Sequence, residues 1–462
     1  MRIQKKYNTK NILACQAGLI QYFMTQKNYY LKIYGCLFNH ADANRMRTIL
    51  NQAGYREVQN ESKADHVIAI TCSVREKAEH KVAGYINNLK KTNPNVHITV
   101  TGCMVRRDFL DDQFDRTRRR LSALRRRLQN ADAFIDITNI TKLPDVLEGK
   151  TPYTQLVLNR DKNRSYINLP PTLPQKDITS AIPIMTGCNQ MCTYCIVPFT
   201  RGQEQYRDFY QIIEEVETSL KQGKKIIQLL GQIVDKWHDS KNNKTFLDLL
   251  KAITQLPYDF YLFFTSPHPN YITKEILQFM NQNPKMLKYL GLPLQSGSNK
   301  VLKAMNRKYT RDKYIKVAQM ARNTVKDLFL TTDIIVGFPP EDEQDFEQTL
   351  DIVQKLRFDK VFFAKYSPRL NNSHQKLVHN PEYQKIVSHR FDRLNKLAQK
   401  IFAENNQKQI GKVYPAIITS PTQALTIRNQ IADIPKTSIA PGTFVKVKIT
   451  GGGRRGIMGE VL

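Results

Sequence analysis

Nine short apolar runs set the framework of this chain, four of them closing on cysteine. YYLKIYGC, DHVIAITC and HITVTGC come first; IPIMTGC, KKIIQLLGQ, YLFFTS, LGLPLQSGS, LTTDIIVGFP and KVFFAKYSPR follow after a gap. Runs this short and this apolar suit strands covered on both faces. Helical stretches separate the first three, at 42–53 and 74–92, the second closed by Asn93-Pro94. Strand–helix–strand repetition implies parallel strands joined by crossover helices. The expected fold class is therefore α/β: an N-terminal parallel α/β domain, a central partial (β/α) barrel, and a small C-terminal all-β module. Ligands of such sheets sit beyond the carboxyl ends of the strands. Cys36, Cys72 and Cys103, each at such an end, are expected to converge on one site.

The expected domain boundaries follow from composition. Residues 1–28 read as a polar extension, 29–148 as the N-terminal domain, and 149–179 as a linker containing Leu169-Pro170-Pro171-Thr172-Leu173-Pro174. Residues 180–400 form the central domain and 405–462 the C-terminal module, with a long polar helix over 382–409. The length of 462 residues suits two to four domains, and a hydrophobic content of 41% supplies real cores.

The net charge of +29 favours a polyanionic partner, because cations that neutralise phosphates release counterions. Residues 114–128, FDRTRRRLSALRRRL, carry seven arginines with Phe114, Leu121, Leu124 and Leu128 near one helical face. They read either as an RNA-backbone contact or as a solvated charged face. Seven cysteines, an odd number, argue against a secreted disulfide framework. There is no apolar stretch of the ~18 residues that a spanning helix needs. Asn11, Gln16 and Gln21 interrupt the weakly apolar start, so no signal peptide is expected. The expected location is cytoplasmic, with no membrane partner.

Cys188-Asn-Gln-Met-Cys192-Thr-Tyr-Cys195 is the sharpest chemical signal. Three thiolates in one loop can grip a cubane 4Fe–4S cluster and leave its fourth iron open to a small molecule. A zinc site would want a fourth Cys or His, and none stands at a typical spacing. Three ordinary core cysteines are the plainer alternative, as they are for the second set, whose sequence gaps are long. Cys15 is read as a bystander.

These residues resemble the radical S-adenosylmethionine methylthiotransferases, and within them the branch acting on tRNA. The likeness runs from about Tyr29 to the C-terminus. It rests on Gly35-Cys36, TCSVREKAEHKV (71–82), TGC (101–103), GCNQMCTYCIVPFTRGQE (187–204), LLGQ (229–232), TSPHP (265–269), LPLQSGS (292–298), LKAMNRKYT (302–310), TTDIIVGFP (331–339) and YSPR (366–369). The resemblance implies two 4Fe–4S clusters, on Cys188/Cys192/Cys195 and on Cys36/Cys72/Cys103. The first would cleave S-adenosylmethionine to a radical that takes hydrogen from carbon 2 of N6-isopentenyladenosine at position 37 of a tRNA. Sulfur associated with the second would be methylated and transferred. The resemblance places Gly231, Gln232, Gln295, Ser296 and Glu341 around S-adenosylmethionine, although the glycines also read as turn residues and Gln295 and Ser296 as helix caps. It implies a reduced electron-transfer protein, a sulfur donor and a C-terminal TRAM-like RNA-binding module. Against the family pattern, Gly291 stands for a histidine, Pro340 follows Pro339, and Leu370 follows YSPR. Methylthiolation of another tRNA adenosine derivative or of a ribosomal-protein aspartate, and a non-catalytic metal-containing RNA-binding protein, are the alternatives.

Overall fold

A computed structural model describes residues 27–73, 76–106, 126–150, 165–175, 177–368 and 377–462. Cys15, most of the extension, most of the arginine-rich segment 114–128, and Arg369 and Leu370 lie outside the described residues. The chain divides into two compact units, Met1–Thr172 and Leu173–Leu462.

The first unit is built on a five-stranded parallel sheet of β1 (Asn28–Ile33), β2 (Arg56–Glu57), β3 (His66–Thr71), β4 (His97–Gly102) and β5 (Ala133–Ile135), in the order β2-β1-β3-β4-β5. Every residue of the central strand β3 is buried. Ile68 and Ile70 pack with Met46 and Leu50 of the helix Leu37–Gln52, whereas Val67 and Ala69 pack with Val82 and Ile86 of the helix Glu76–Thr92. That two-sided cover is why HVIAIT is apolar without alternation. The first helix begins at Leu37, five residues earlier than its sequence pattern indicates, with Cys36 at the N-cap position and its carbonyl accepting from Asn39 N–H at 2.9 Å.

The expected linker is in part a piece of this unit. Tyr166 and Ile167 are buried in its core, Arg45 donates to the Ile167 carbonyl from Nε (3.0 Å) and Nη2 (2.8 Å), and Thr48 donates to the Pro170 carbonyl. Two apolar residues and one buried arginine outweigh the proline-rich composition.

In the second unit, β6 (Thr179–Pro183), β7 (Ile226–Leu230) and β8 (Tyr261–Phe264) form one parallel sheet. A second comprises β9 (Tyr289–Gly291), β10 (Phe329–Val336) and β11 (Lys360–Lys365). A parallel bridge between Leu262 and Met286 links them, giving a six-stranded partial barrel. Ile227, Leu229, Leu262, Phe264, Leu290, Leu330 and Ile334 face the surrounding helices. Their neighbours Ile226, Tyr261 and Phe263 instead pack with Tyr414, Ile417 and Ile418 of a closed five-stranded barrel. That barrel holds β12 (Val413–Ser420), β13 (Gln423–Thr426), β14 (Ile431–Asp433), β15 (Phe444–Gly453) and β16 (Gly456–Val461). Lys288 N–H donates to the Ile427 carbonyl at 2.7 Å, joining the two sheet systems directly.

No helix among the described residues is long and apolar enough to cross a membrane.

Candidate functional site

Gly187 to Glu204 form a loop closed at its base by a two-residue antiparallel pairing, Met185 with Tyr206 and Thr186 with Gln205. Cys188 N–H donates to the Gly202 carbonyl at 2.8 Å, and the Asn189 and Glu204 side chains exchange hydrogen bonds with each other's backbone N–H. Gly187 (φ +79°) lies so close to the returning strand that a Cβ would sit 2.0 Å from the Gln203 carbonyl oxygen. Only glycine lets the loop close this tightly. The loop is tied to the end of the helix Asn299–Ala304: Thr193 donates from N and Oγ1 to the Met305 and Ala304 carbonyls, and Asn306 Nδ2 donates to those of Gln190 and Met191.

Cys188, Cys192 and Cys195 all lie in this loop, each partly exposed. Burial pushes the Cys195 thiol up to about 12; the neighbouring Cys192 and Cys188 thiols add to it, while the Val197 N–H and Arg307 oppose it. Burial likewise raises Cys188, with Glu204 and Cys192 adding to it. Cys188 and Cys195 are thus each held in the thiol form, and cations bound at the loop would favour their thiolates. No three Cys, His, Asp or Glu side chains among the described residues are gathered as the ligands of a single metal ion. A cubane takes its thiolate ligands on separate iron corners, and three cysteines in one loop match that need.

Arg307, which sequence reasoning did not assign, points its Nη1 at Cys192 Sγ from 3.7 Å. Its Nε donates to the Tyr309 hydroxyl at 3.0 Å, and that hydroxyl donates to the Leu294 carbonyl at 2.9 Å. Nearby, His268 is 3% exposed and its backbone N–H donates to both oxygens of the Asp235 carboxylate. Burial, followed by the charges of Arg307, Lys313 and Lys236, lowers His268 to about 3.

The other candidates lie beyond strand ends: Gly231 and Gln232 directly after β7, Gln295 and Ser296 in the turn after β9, and Glu341 in the turn after β10. Gly231 follows β7, and a Cβ there would meet Met185 Cγ at 2.5 Å. Gln232 Oε1 and Thr186 Oγ1 are buried without a partner among the described residues. Such atoms suit the donors of a bound ligand. Gln295 is left-handed (φ +71°) and bridges to Ile334, its N–H donating to the Asp333 carbonyl and its own carbonyl accepting from Ile335. Ser296 is fully buried and accepts from Ser298 N–H at 3.2 Å, while Ser298 is the residue that caps the following helix. A Cβ on Gly297 would meet Thr349 Cα at 2.5 Å, so this motif seats a helix. Glu341 turns inward: its Oε1 accepts from Gly337 N–H at 2.9 Å and from Arg390 Nη1 at 3.1 Å, and burial lifts it to about 7. At Gly291 a Cβ would lie 2.8 Å from the Tyr289 hydroxyl, which occupies the space of a larger residue.

In the first unit, parallel register sets Thr71 opposite Gly102, and Tyr34 N–H donates to the Ile70 carbonyl. Cys36, Cys72 and Cys103 therefore follow three adjacent strands at the carboxyl end of the sheet. Cys72 and Cys103 are buried and Cys36 is exposed. Gly35 (φ +151°) leaves room at this end: a Cβ there would lie 2.9 Å from Cys72 Cβ and 2.6 Å from Asn39 Nδ2. Asn39 Nδ2 donates to the Tyr34 and Thr71 carbonyls and its Oδ1 accepts from Cys36 Sγ at 3.6 Å, so one side chain spans two of the three strand ends.

Residues 182–353 match the radical SAM superfamily, and residues 28–119 match an uncharacterized protein family, UPF0004. A protein of Thermodesulfovibrio yellowstonii named tRNA-2-methylthio-N(6)-dimethylallyladenosine synthase is 33% identical over 448 residues, covering 95% of this chain and 100% of its own. Its namesake from Carboxydothermus hydrogenoformans is 34% identical over 442 residues, covering 93% and 98%. Among solved structures, the radical S-adenosylmethionine methyltransferase TsrM from Kitasatospora setae shares the fold at a TM-score of 0.54 and 11% identity, covering 73% of each chain. The cobalamin-dependent radical enzyme OxsB does so at 0.52 and 11%, covering 84% of this chain and 58% of its own.

Proposed function

This chain belongs to the radical S-adenosylmethionine methylthiotransferases, and we propose that it places a methylthio group on carbon 2 of N6-isopentenyladenosine at position 37 of a tRNA. One observation carries the reading: two cysteine triads in one chain, one in a closed loop of a radical SAM barrel and one at the carboxyl ends of adjacent parallel strands. Relatives that match over nearly their whole length are named for this synthesis.

Taking hydrogen from an aromatic C–H lies beyond any side-chain base, so the chemistry comes from cofactors. When bound by Cys188, Cys192 and Cys195, a 4Fe–4S cluster supplies the electron that cleaves S-adenosylmethionine reductively, and a second cluster on Cys36, Cys72 and Cys103 supplies the site for sulfur transfer. The protein's part is placement. Gly231 keeps the wall beside β7 free of a side chain, and Gln232 offers its buried amide oxygen to S-adenosylmethionine. Gln295 presents its side chain from a left-handed turn that Ser296 and Gly297 hold against the helix Glu343–Leu356. Glu341 acts through Gly337, whose backbone it anchors. The closed C-terminal barrel is TRAM-like and grips RNA, consistent with the charge of +29. A reduced electron-transfer protein and a sulfur donor complete the cycle, in the cytoplasm.

Mass spectrometry of tRNA nucleosides from a strain lacking the gene tests this. Complementation with the wild-type gene is expected to restore the methylthio-isopentenyl nucleoside, and Cys192→Ala to leave the unmethylthiolated form. Restoration by Cys192→Ala, or none by wild type, sinks the proposal.

A further inference from the structure

A cavity that the chemistry above does not use lies at the opposite end of the same strands. The turns leading into β10 and β11, the end of the helix Pro381–Gln407, and the C-terminal barrel through Lys412 and Arg428 line an open cleft of about 470 Å³. Strand β10 runs for eight residues, so this end is roughly 25 Å from Gly337 at about 3.3 Å per residue. The cavity is therefore separate from the cofactor end of the barrel.

Its walls carry seven cationic side chains against two carboxylates. Both carboxylates are already engaged. Asp359, 5% exposed, accepts from Arg428 Nη2 (3.0 Å), Arg322 Nη2 (3.2 Å) and Leu330 N–H (2.9 Å). Asp327 pairs with Lys412 at 3.0 Å. Arg357 turns to Glu404. Lys326, Lys355 and Lys408 form no ion pair among the described residues, so the excess positive charge is uncompensated at the rim. Arg322 adds an independent sign: its Nε is buried and has no acceptor among the described residues. Buried donors in native proteins almost always meet protein, water or ligand.

We propose that this cavity binds phosphate, as an oligophosphate or as the phosphodiester of an RNA. Phosphate oxygens are strong acceptors for a guanidinium N–H and for lysine ammonium groups together, and the volume is within the range of small-molecule sites. A phosphate seated there bridges Lys412, next to β12, and Lys326, next to β10, clamping the C-terminal barrel onto the partial barrel. The assignment does not depend on the methylthiolation chemistry.

Calorimetric titration of the full chain with pyrophosphate, at low and moderate salt, tests it. Wild type is expected to bind, with affinity falling as salt rises. The double variant Lys326→Glu/Lys408→Glu, which alters exposed side chains only, is expected to bind at least tenfold more weakly, and Lys355→Glu to weaken binding alone. Unchanged melting temperatures of these variants without ligand show that they fold. Competition between pyrophosphate and an unmodified tRNA transcript assigns the site to RNA backbone, and pyrophosphate binding without competition assigns it to a free oligophosphate. Absence of pyrophosphate binding by wild type, or equal binding by folded variants, overturns the proposal.

Discussion

Arg307 and Cys192 stand 115 residues apart in sequence, yet the Arg307 guanidinium Nη1 lies 3.7 Å from the Cys192 sulfur. A cluster on three thiolates becomes more negative on reduction, so a cation held against one ligand favours the reduced state. Removing that charge makes the electron harder to add. Arg307→Met is expected to lower the midpoint potential of the reconstituted cluster by on the order of 50 mV, close to a tenfold change in a one-electron equilibrium. Arg307→Lys, which keeps the charge, is expected to recover part of the shift. A potentiometric titration followed by electron paramagnetic resonance reads both values, and identical potentials in all three proteins would remove Arg307 from this role.

Gly187 offers a test of the loop itself. A side chain there meets the Gln203 carbonyl at 2.0 Å in a backbone conformation that L-residues rarely adopt. Gly187→Ala is therefore expected to spread the loop and displace Cys188 from its hydrogen bond to Gly202. The expected outcome is a fall in iron and acid-labile sulfide after anaerobic reconstitution, by about half if one of two clusters is lost. Full metal content in Gly187→Ala would show that the loop tolerates the opening.

Strand–helix repetition made the parallel sheets readable, because two-sided burial leaves continuous apolar runs such as VIAI and YLFF. The three-residue strand Ala133–Ile135 and the two-residue strand Arg56–Glu57 were too short to leave any period. Both cysteine triads were visible as residues; the adjacency of Cys36, Cys72 and Cys103 comes from strand order, which spacing does not encode. Arg307 and the cavity beneath β10 were hidden for the same reason: each is assembled from segments far apart in sequence. Glu341 was named by resemblance as a neighbour of S-adenosylmethionine; its inward turn onto Gly337 and Arg390 follows from packing that no local pattern announces.

His66 and His97 give the first unit a pH dependence. They are register partners at the start of β3 and β4, their rings 5.4 Å apart, and both Nδ1 atoms are buried without a partner among the described residues. Burial, then the charges of His97 and Lys27, lowers His66 from 6.5 to about 4, against a small opposing effect of Asp65; burial lowers His97 also. A histidine with a depressed folded pKa takes up its proton first in the unfolded chain. Stability is therefore fully present above about pH 6.5 and declines as pH falls toward 4, by about 1.4 kcal/mol per pH unit for each such histidine at the steepest. His66→Phe is expected to flatten this slope by one proton's worth. Urea unfolding of the full chain at several pH values, followed by a probe in the first unit, measures it, and an unchanged slope in the variant refutes the assignment.

The two triads predict separable losses. Cys72 is buried just past the central strand of the first sheet, with Cys36 and Cys103 just past the strands to either side, and it belongs to a different compact unit from the loop of Cys188, Cys192 and Cys195. Cys72→Ala removes a sulfur and little volume, so the sheet is expected to persist at a cost of about 1–2 kcal/mol. Reductive cleavage of S-adenosylmethionine, assayed as 5′-deoxyadenosine with dithionite, is expected to survive in Cys72→Ala, whereas methylthiolation of tRNA falls by at least a hundredfold. Cys192→Ala is expected to lose both. If Cys72→Ala kept full methylthiolation, the triad of Cys36, Cys72 and Cys103 would be structural, and sulfur would reach the nucleoside by a route that bypasses the first unit.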